Sequence, residues 1–227
     1  MKIEALKIKE PYEVGGNVNN ATIILVGEEH GIDWIIDKEF EIWYNCYHTE
    51  GLRHLFIESP YYDAQFYNLW LKSDNDEMYE TLFLDKKGTA AYNQYSYEFY
   101  KKMKQECPET IFHGTDIGHQ YDTTGKRFLE YLIAHNFRNS EQYKLTIKAI
   151  NQGKKYYVNH SPQYRENTMT KNFIDEFDKL KHEKIIGIYG GAHINYNKSA
   201  FYGNYPCMAK QLREYYGDII YFENYKK

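Results

Sequence analysis

Five short apolar runs punctuate the chain: 21–26 (ATIILV), 53–58 (RHLFIE), 110–114 (TIFHG), 184–189 (KIIGIY) and 218–222 (DIIYF). Runs this short, bounded by Gly or Pro or by polar residues, read as strands buried on both faces. Segments with apolar residues at helical spacing lie between them. In 35–47 the pattern is Ile36, Phe40, Trp43, Tyr44 and Tyr47, closed by Gly51. Further helices are expected over 63–71, 123–136, 141–158, 162–181 and 208–216. Thr123 or Asp122 would cap the helix at 123, and Ser161 followed by Pro162 makes a favourable start for the helix at 162. Residues 14–20 (VGGNVNN) read as a loop, and Ser59-Pro60 as a break after the second strand. Strands alternating with helices imply βαβ units, so the expected fold is α/β: a mostly parallel central sheet between helices, in three layers.

The 227 residues suit one domain, spanning 1–227. Residues 74–107 are polar, aromatic and mostly helical, with a blurred pattern at 86–88. Together with 140–181 they are expected to form a helical cover over the strand carboxyl ends. With 28 basic and 32 acidic residues the net charge is −4, which disfavours a nucleic-acid partner. No apolar run is long enough to span a bilayer. The start, MKIEALKIKE, has no apolar signal core. Cys46, Cys107 and Cys207 form no pair at metal-ligand spacing. A cytoplasmic protein acting on a small molecule is the expectation, with no membrane partner. The 25 tyrosines suit walls that are half apolar and half hydrogen-bonding, although AT-rich coding explains them equally well.

In open parallel sheets, ligands bind beyond the carboxyl ends of the strands. Four of the five runs deliver titratable groups there. The first leads into Gly27-Glu28-Glu29-His30-Gly31, the second ends at Glu58, the third runs into His113-Gly114-Thr115-Asp116, and the fourth into Gly190-Gly191-Ala192-His193. If these strands are neighbours, Glu28, His30, Glu58, Asp116 and His193 converge on one crevice. His30 is suited to general-base, nucleophile-activating or metal-binding work; the alternative is a histidine bonded within its loop. Glu58 needs a partner at the end of an apolar strand: His30, a metal, or a structural ion pair with Arg165 or Arg53. Asp116 would orient a histidine or cap the segment at Gly118. His193 would project from a glycine turn, where Gly190 and Gly191 offer N–H groups to an oxyanion, or would face solvent. His119 lies in a loop, and His48, His54, His135, His160 and His182 read as surface residues. Arg165, Met169 and Asn172 share a helix face. The guanidinium of Arg165 suits two-pronged contact with a carboxylate or an anionic intermediate, against a weak surface pair as the alternative. Dinucleotide, Walker, serine-hydrolase and zincin motifs are absent.

Taken together, GEEHG at 27–31, FIE at 56–58, HGTDI at 113–117, YRENTMTKN at 164–172 and KIIGIYGGAHIN at 184–195 resemble the erythromycin esterase-like superfamily. That superfamily also embraces ChaN-type haem-binding lipoproteins and, more remotely, the Tiki/TraB metalloproteases. The pieces occur in the family's order. Two depart from the esterase pattern: the first motif is one residue shorter between Glu and His, and Gly190 stands where an additional His is common. The chain is shorter than a typical erythromycin esterase, which implies a smaller lid. The resemblance implies a hydrolase in which His30 activates water, Glu28 and Glu58 support it, Arg165 and His193 stabilise the oxyanion of an ester or similar acyl group, and Asp116 stands behind them, with no cofactor required. It also leaves room for a divalent-metal hydrolase using His30, His193 and Glu58, and for a haem or small-ligand binding module without catalysis.

Overall fold

The computed structural model describes residues 10–197 and 204–227. The charged N-terminal segment, 1–9, lies outside them. Six strands form one sheet in the order β1-β6-β2-β5-β3-β4. They are β1 (Glu13–Gly15), β2 (Ile23–Glu28), β3 (His54–Pro60), β4 (Ile111–Asp116), β5 (Ile185–Gly190) and β6 (Ile220–Asn224). Among the described residues only the β1–β6 pair is antiparallel.

Successive side chains of a strand point to opposite faces, and here both faces are buried. Ile24, Val26, Leu55, Ile57, Ile186 and Ile188 meet helices α1 (Asp33–Asn45), α2 (Tyr61–Trp70), α3 (Glu77–Asp85), α4 (Gln94–Glu106) and α5 (Lys126–Ala134). On the other side, Ile23, Leu25, Phe56, Ile185, Tyr189 and Phe222 form a second core with α7 (Pro162–Phe177) and α9 (Met208–Tyr216). The three-layer α/β fold follows from these two cores. Helix α6 (Glu141–Asn159) packs beside α5 and α7, and α8 (Gly191–Ile194) is a single turn after β5.

Several local expectations need correction. The 14–20 segment holds the end of β1 and a 3₁₀ turn, Val18–Asn20. Its sequence carries no strand pattern; pairing with β6 supplies the order. The second strand runs on through Ser59 and ends at Pro60, rather than stopping before the pair. A register shift between Ile57 and Pro60 absorbs the missing proline N–H, and Pro60 still pairs with Asp116. Neither Asp122 nor Thr123 caps a helix; α5 is entered through a wide π turn, Tyr121–Gly125, without a side-chain cap. Ser161 does cap α7, accepting from the Tyr164 N–H at 3.2 Å. Because Met169, Phe173 and Phe177 lie in the second core, α7 is a layer of the sandwich, and it is its N-terminal end that reaches the strand tips.

Candidate active site

The strands β2, β5, β3 and β4 are consecutive in the sheet, so their carboxyl ends share one rim. Beyond it lies a cavity of about 350 Å³. Glu28, His30 and Glu58 line it from the strand side. Tyr67, Tyr79, Phe83, Lys86 and Tyr100 close it from α2, α3, the connector after α3, and α4.

The six residues singled out from the sequence fall into two linked groups. In the first, His30 Nδ1 lies 2.9 Å from Glu28 Oε1. A carboxylate only accepts, so Nδ1 carries the hydrogen and Nε2 is the free, titrating nitrogen. Nε2 lies against Gly190: a methyl group there would come within 3.0 Å of it and 3.1 Å of Glu58 Oε2. A side chain at 190 would therefore crowd the His30 ring and the Glu58 carboxylate. The bond to Glu28 pushes the His30 pKa up to about 9, against the effect of burial.

In the second group, Arg165 bridges two strands. Its Nη2 donates to Glu58 Oε1 and to Asp116 Oδ2, each at 2.6 Å, and its Nε to Asp116 Oδ1 at 3.0 Å. Burial alone would favour the neutral acids. At Glu58 it is outweighed by His193 and Arg165, and at Asp116 by Arg165 and His119, so both carboxyls are held below their usual range. His193 Nδ1 is held by Glu166 Oε1 at 2.6 Å, and its Nε2 lies 3.5 Å from Glu58 Oε1. Burial opposes its charge, but Glu58 and Glu166 prevail and push its pKa up to about 10. His193 therefore does not face solvent. Glu58 pairs with Arg165 and not with Arg53, which binds Glu109. The Gly190 N–H donates to Glu58, so it is not free for an oxyanion. Arg165, His193 and Asp116 stand behind Glu58, outside the set of cavity-lining residues.

Other contributors went unread in the sequence. Glu166, at the first turns of α7, holds His193 and accepts from the Met208 N–H at 2.7 Å. Glu39 lines the cavity from α1. Burial, reinforced by Glu28, pushes its pKa well up, and its Oε1 has no hydrogen-bond partner. An acid at position 39, on the same stripe as Ile35 and Trp43, was the available signal. Lys86 and Asp63 form a buried pair at 2.6 Å on the cavity wall. His54 is not a lone surface residue, since its Nδ1 lies 2.9 Å from His113 Nε2 across β3 and β4.

The metal-centre alternative does not fit the donors. Among the described residues no three His, Cys, Asp or Glu side chains are disposed to hold an ion. Both ring nitrogens of His193 already face carboxylates. No helix of the described residues is long and apolar enough to cross a membrane.

No protein-family profile and no curated protein matches the chain by sequence. Solved structures match it by fold. A mutant of the erythromycin esterase EreC, in its open conformation, superposes with a TM-score of 0.61 at 10% identity, over 89% of this chain and 69% of that one. A succinoglycan biosynthesis protein superposes at 0.62 and 12% identity, over 88% and 64%. A Bacillus cereus protein does so at 0.61 and 13%, over 87% and 64%. The chain thus spans about two thirds of the length of these structures. The fold is the one that the sequence motifs resemble, and at such identities the likeness is one of fold.

Proposed function

We propose that the protein is a hydrolase of esters or similar acyl compounds, with His30 as the base that activates water. The observation that carries this reading is the placement of His30: Nδ1 fixed by Glu28, and Nε2 turned to the ring of groups formed by Gly190 and Glu58 beside a cavity. Glu28 sets the tautomer and stabilises the imidazolium that forms when water loses its proton. Glu58, itself held by Arg165, His193 and the Gly190 N–H, supplies a fixed negative charge to the same imidazolium. Arg165 and His193 contribute positive charge behind the reacting centre, and Asp116 locks Arg165. The shared fold with an erythromycin esterase supports acyl hydrolysis. The modest cavity and aromatic wall suit a small, partly apolar acyl substrate.

A base with its pKa raised to about 9 is mostly protonated at neutral pH, so the rate should climb with pH and level off above about 9. The test is a hydrolysis screen over simple esters, amides and peptides, comparing wild type with His30→Ala. Loss of roughly 10²–10⁴-fold in the variant is expected. Full activity in His30→Ala would overturn the assignment. Background rates in both proteins would leave a ligand-binding module in its place.

A further inference from the structure

His119 follows β4 in a loop that lies directly on the backbone of α6. A methyl group at Gly118 would fall 2.2 Å from the Ala149 carbonyl oxygen, and one at Gly153 only 1.8 Å from the Gly118 carbonyl oxygen. Contact this close requires glycine on both sides. One helical turn beyond Gly153, on the same face of α6, stands Tyr157. The His119 backbone is pinned from below: its carbonyl accepts from the Tyr62 hydroxyl, and its N–H donates to Ile117 O at 2.9 Å. The ring is fixed at both nitrogens. Nε2 lies 3.0 Å from Asp116 Oδ2, and Nδ1 lies 2.6 Å from the Tyr157 hydroxyl. His119 and Tyr157 line the same cavity as His30 and Glu58.

Asp116 is anchored by Arg165, so the chain Arg165–Asp116–His119–Tyr157 is a continuous hydrogen-bonded path that ends on a phenol at the cavity wall. The carboxylate accepts from His119 Nε2–H, leaving Nδ1 to exchange a hydrogen with the phenol. Both nitrogens of His119 being engaged, the Tyr157 oxygen is the end of the path available to a ligand. Burial holds the Tyr157 pKa above its ordinary value, so at neutral pH it is an O–H group, a proton donor and not a nucleophile.

We infer that Tyr157 is the general acid that protonates the departing alcohol, with His119 and Asp116 as its positioning residues, and that the substrates are therefore esters of alkyl alcohols, whose poor alkoxide leaving groups gain most from protonation. The inference rests on the hydrolase reading above. In the step, His30 Nε2 takes a proton from water, and the water oxygen bonds to the acyl carbon. The bond from that carbon to the alcohol oxygen breaks, its electron pair going to the oxygen. That oxygen takes the Tyr157 proton, leaving Tyr157 as the phenolate. His30 then releases its proton to solvent, from which Tyr157 is reprotonated, so the balance is ester plus water to acid plus alcohol.

The test compares two esters with one acyl group, ethyl butyrate and p-nitrophenyl butyrate, by kcat/KM in wild type, Tyr157→Phe, His119→Gln and His30→Ala. Nitrophenoxide leaves without a proton, so the two esters separate general-acid help from everything else. Tyr157→Phe should lose on the order of 10²-fold more on the ethyl ester than on the nitrophenyl ester, and His119→Gln should shift the same ratio in the same direction. His30→Ala should lose both activities together. Equal losses on the two esters in Tyr157→Phe, with His30→Ala inactive, would overturn the role of Tyr157 while leaving the hydrolase reading intact. A wild type inactive on both, or a fully active His30→Ala, would remove the hydrolase reading and this inference with it.

Discussion

Replacing Arg165 by Met tests the centre of the site without reference to any substrate. The guanidinium makes three charge-assisted bonds, at 2.6, 2.6 and 3.0 Å, to side chains that are 11% exposed (Glu58) and 1% exposed (Asp116). Bonds to charged groups contribute about 1.5–3 kcal/mol each, but the carboxylates keep other partners. Glu58 retains the Gly190 N–H and His193, and Asp116 retains His119 and the Ile117 N–H at 2.7 Å. The expected loss is therefore nearer the about 3–5 kcal/mol typical of breaking a buried pair from one side. For a chain of this size it lowers Tm by about 6–20 °C, at about 2–4 °C per kcal/mol. The measurement is urea unfolding at several pH values. Both carboxyls are held below their usual range in the folded protein. Their stabilisation is thus present above the unfolded values near 4 and is lost as pH falls through the depressed folded values. The deficit of Arg165→Met should be full at pH 7 and shrink as pH falls from about 5 toward 3, where the stranded carboxylates of the variant protonate. Adding Glu58→Gln and Asp116→Asn should recover much of the loss at pH 7. A deficit below about 1 kcal/mol at pH 7, or one independent of pH, would refute the reasoning.

NMR titration of the His30 ring should give a midpoint of about 9 in wild type. Glu28→Gln removes the main cause, so the midpoint should fall toward or below the ordinary 6.5; an unmoved midpoint would show that another group holds the proton. Lys86→Met strands Asp63, which is 1% exposed and whose Oδ1 already lacks a partner, and should cost about 3–5 kcal/mol in urea unfolding. The Lys86→Met/Asp63→Asn double variant should regain most of it, and a double variant as unstable as the single would show that packing and not charge is at stake.

The unequal legibility of the site has a physical origin. Glu58 and Arg165 were readable together because a charge at the end of an apolar strand demands an opposite charge, and arginine is the side chain suited to two carboxylates. His30 and Glu28 were readable because they are two residues apart at one strand end. Glu166 lies within the 164–172 segment, yet its bond to His193 is invisible there, since the two residues are 27 apart in sequence and meet only once α7 and α8 are packed together. His119 reads from sequence as a loop residue. Its partners come from β4 and from α6, and the glycines that bring the loop and the helix together act across 35 residues of sequence, between Gly118 and Gly153.

What the sequence determined by itself is the set of local periods. Short apolar runs read as strands of a covered sheet, and stripes at helical spacing lie on its faces; the three-layer α/β fold and the polar strand ends follow from those two facts. What only the tertiary structure decided is adjacency. The order β2-β5-β3-β4 places four distant strand tips on one rim, the antiparallel β1 exists because β6 offers an edge, and the chain from Arg165 through Asp116 and His119 to Tyr157 exists because two helix layers close around that rim. Local spacing carries no information about which strand lies beside which; the packing of both sheet faces does.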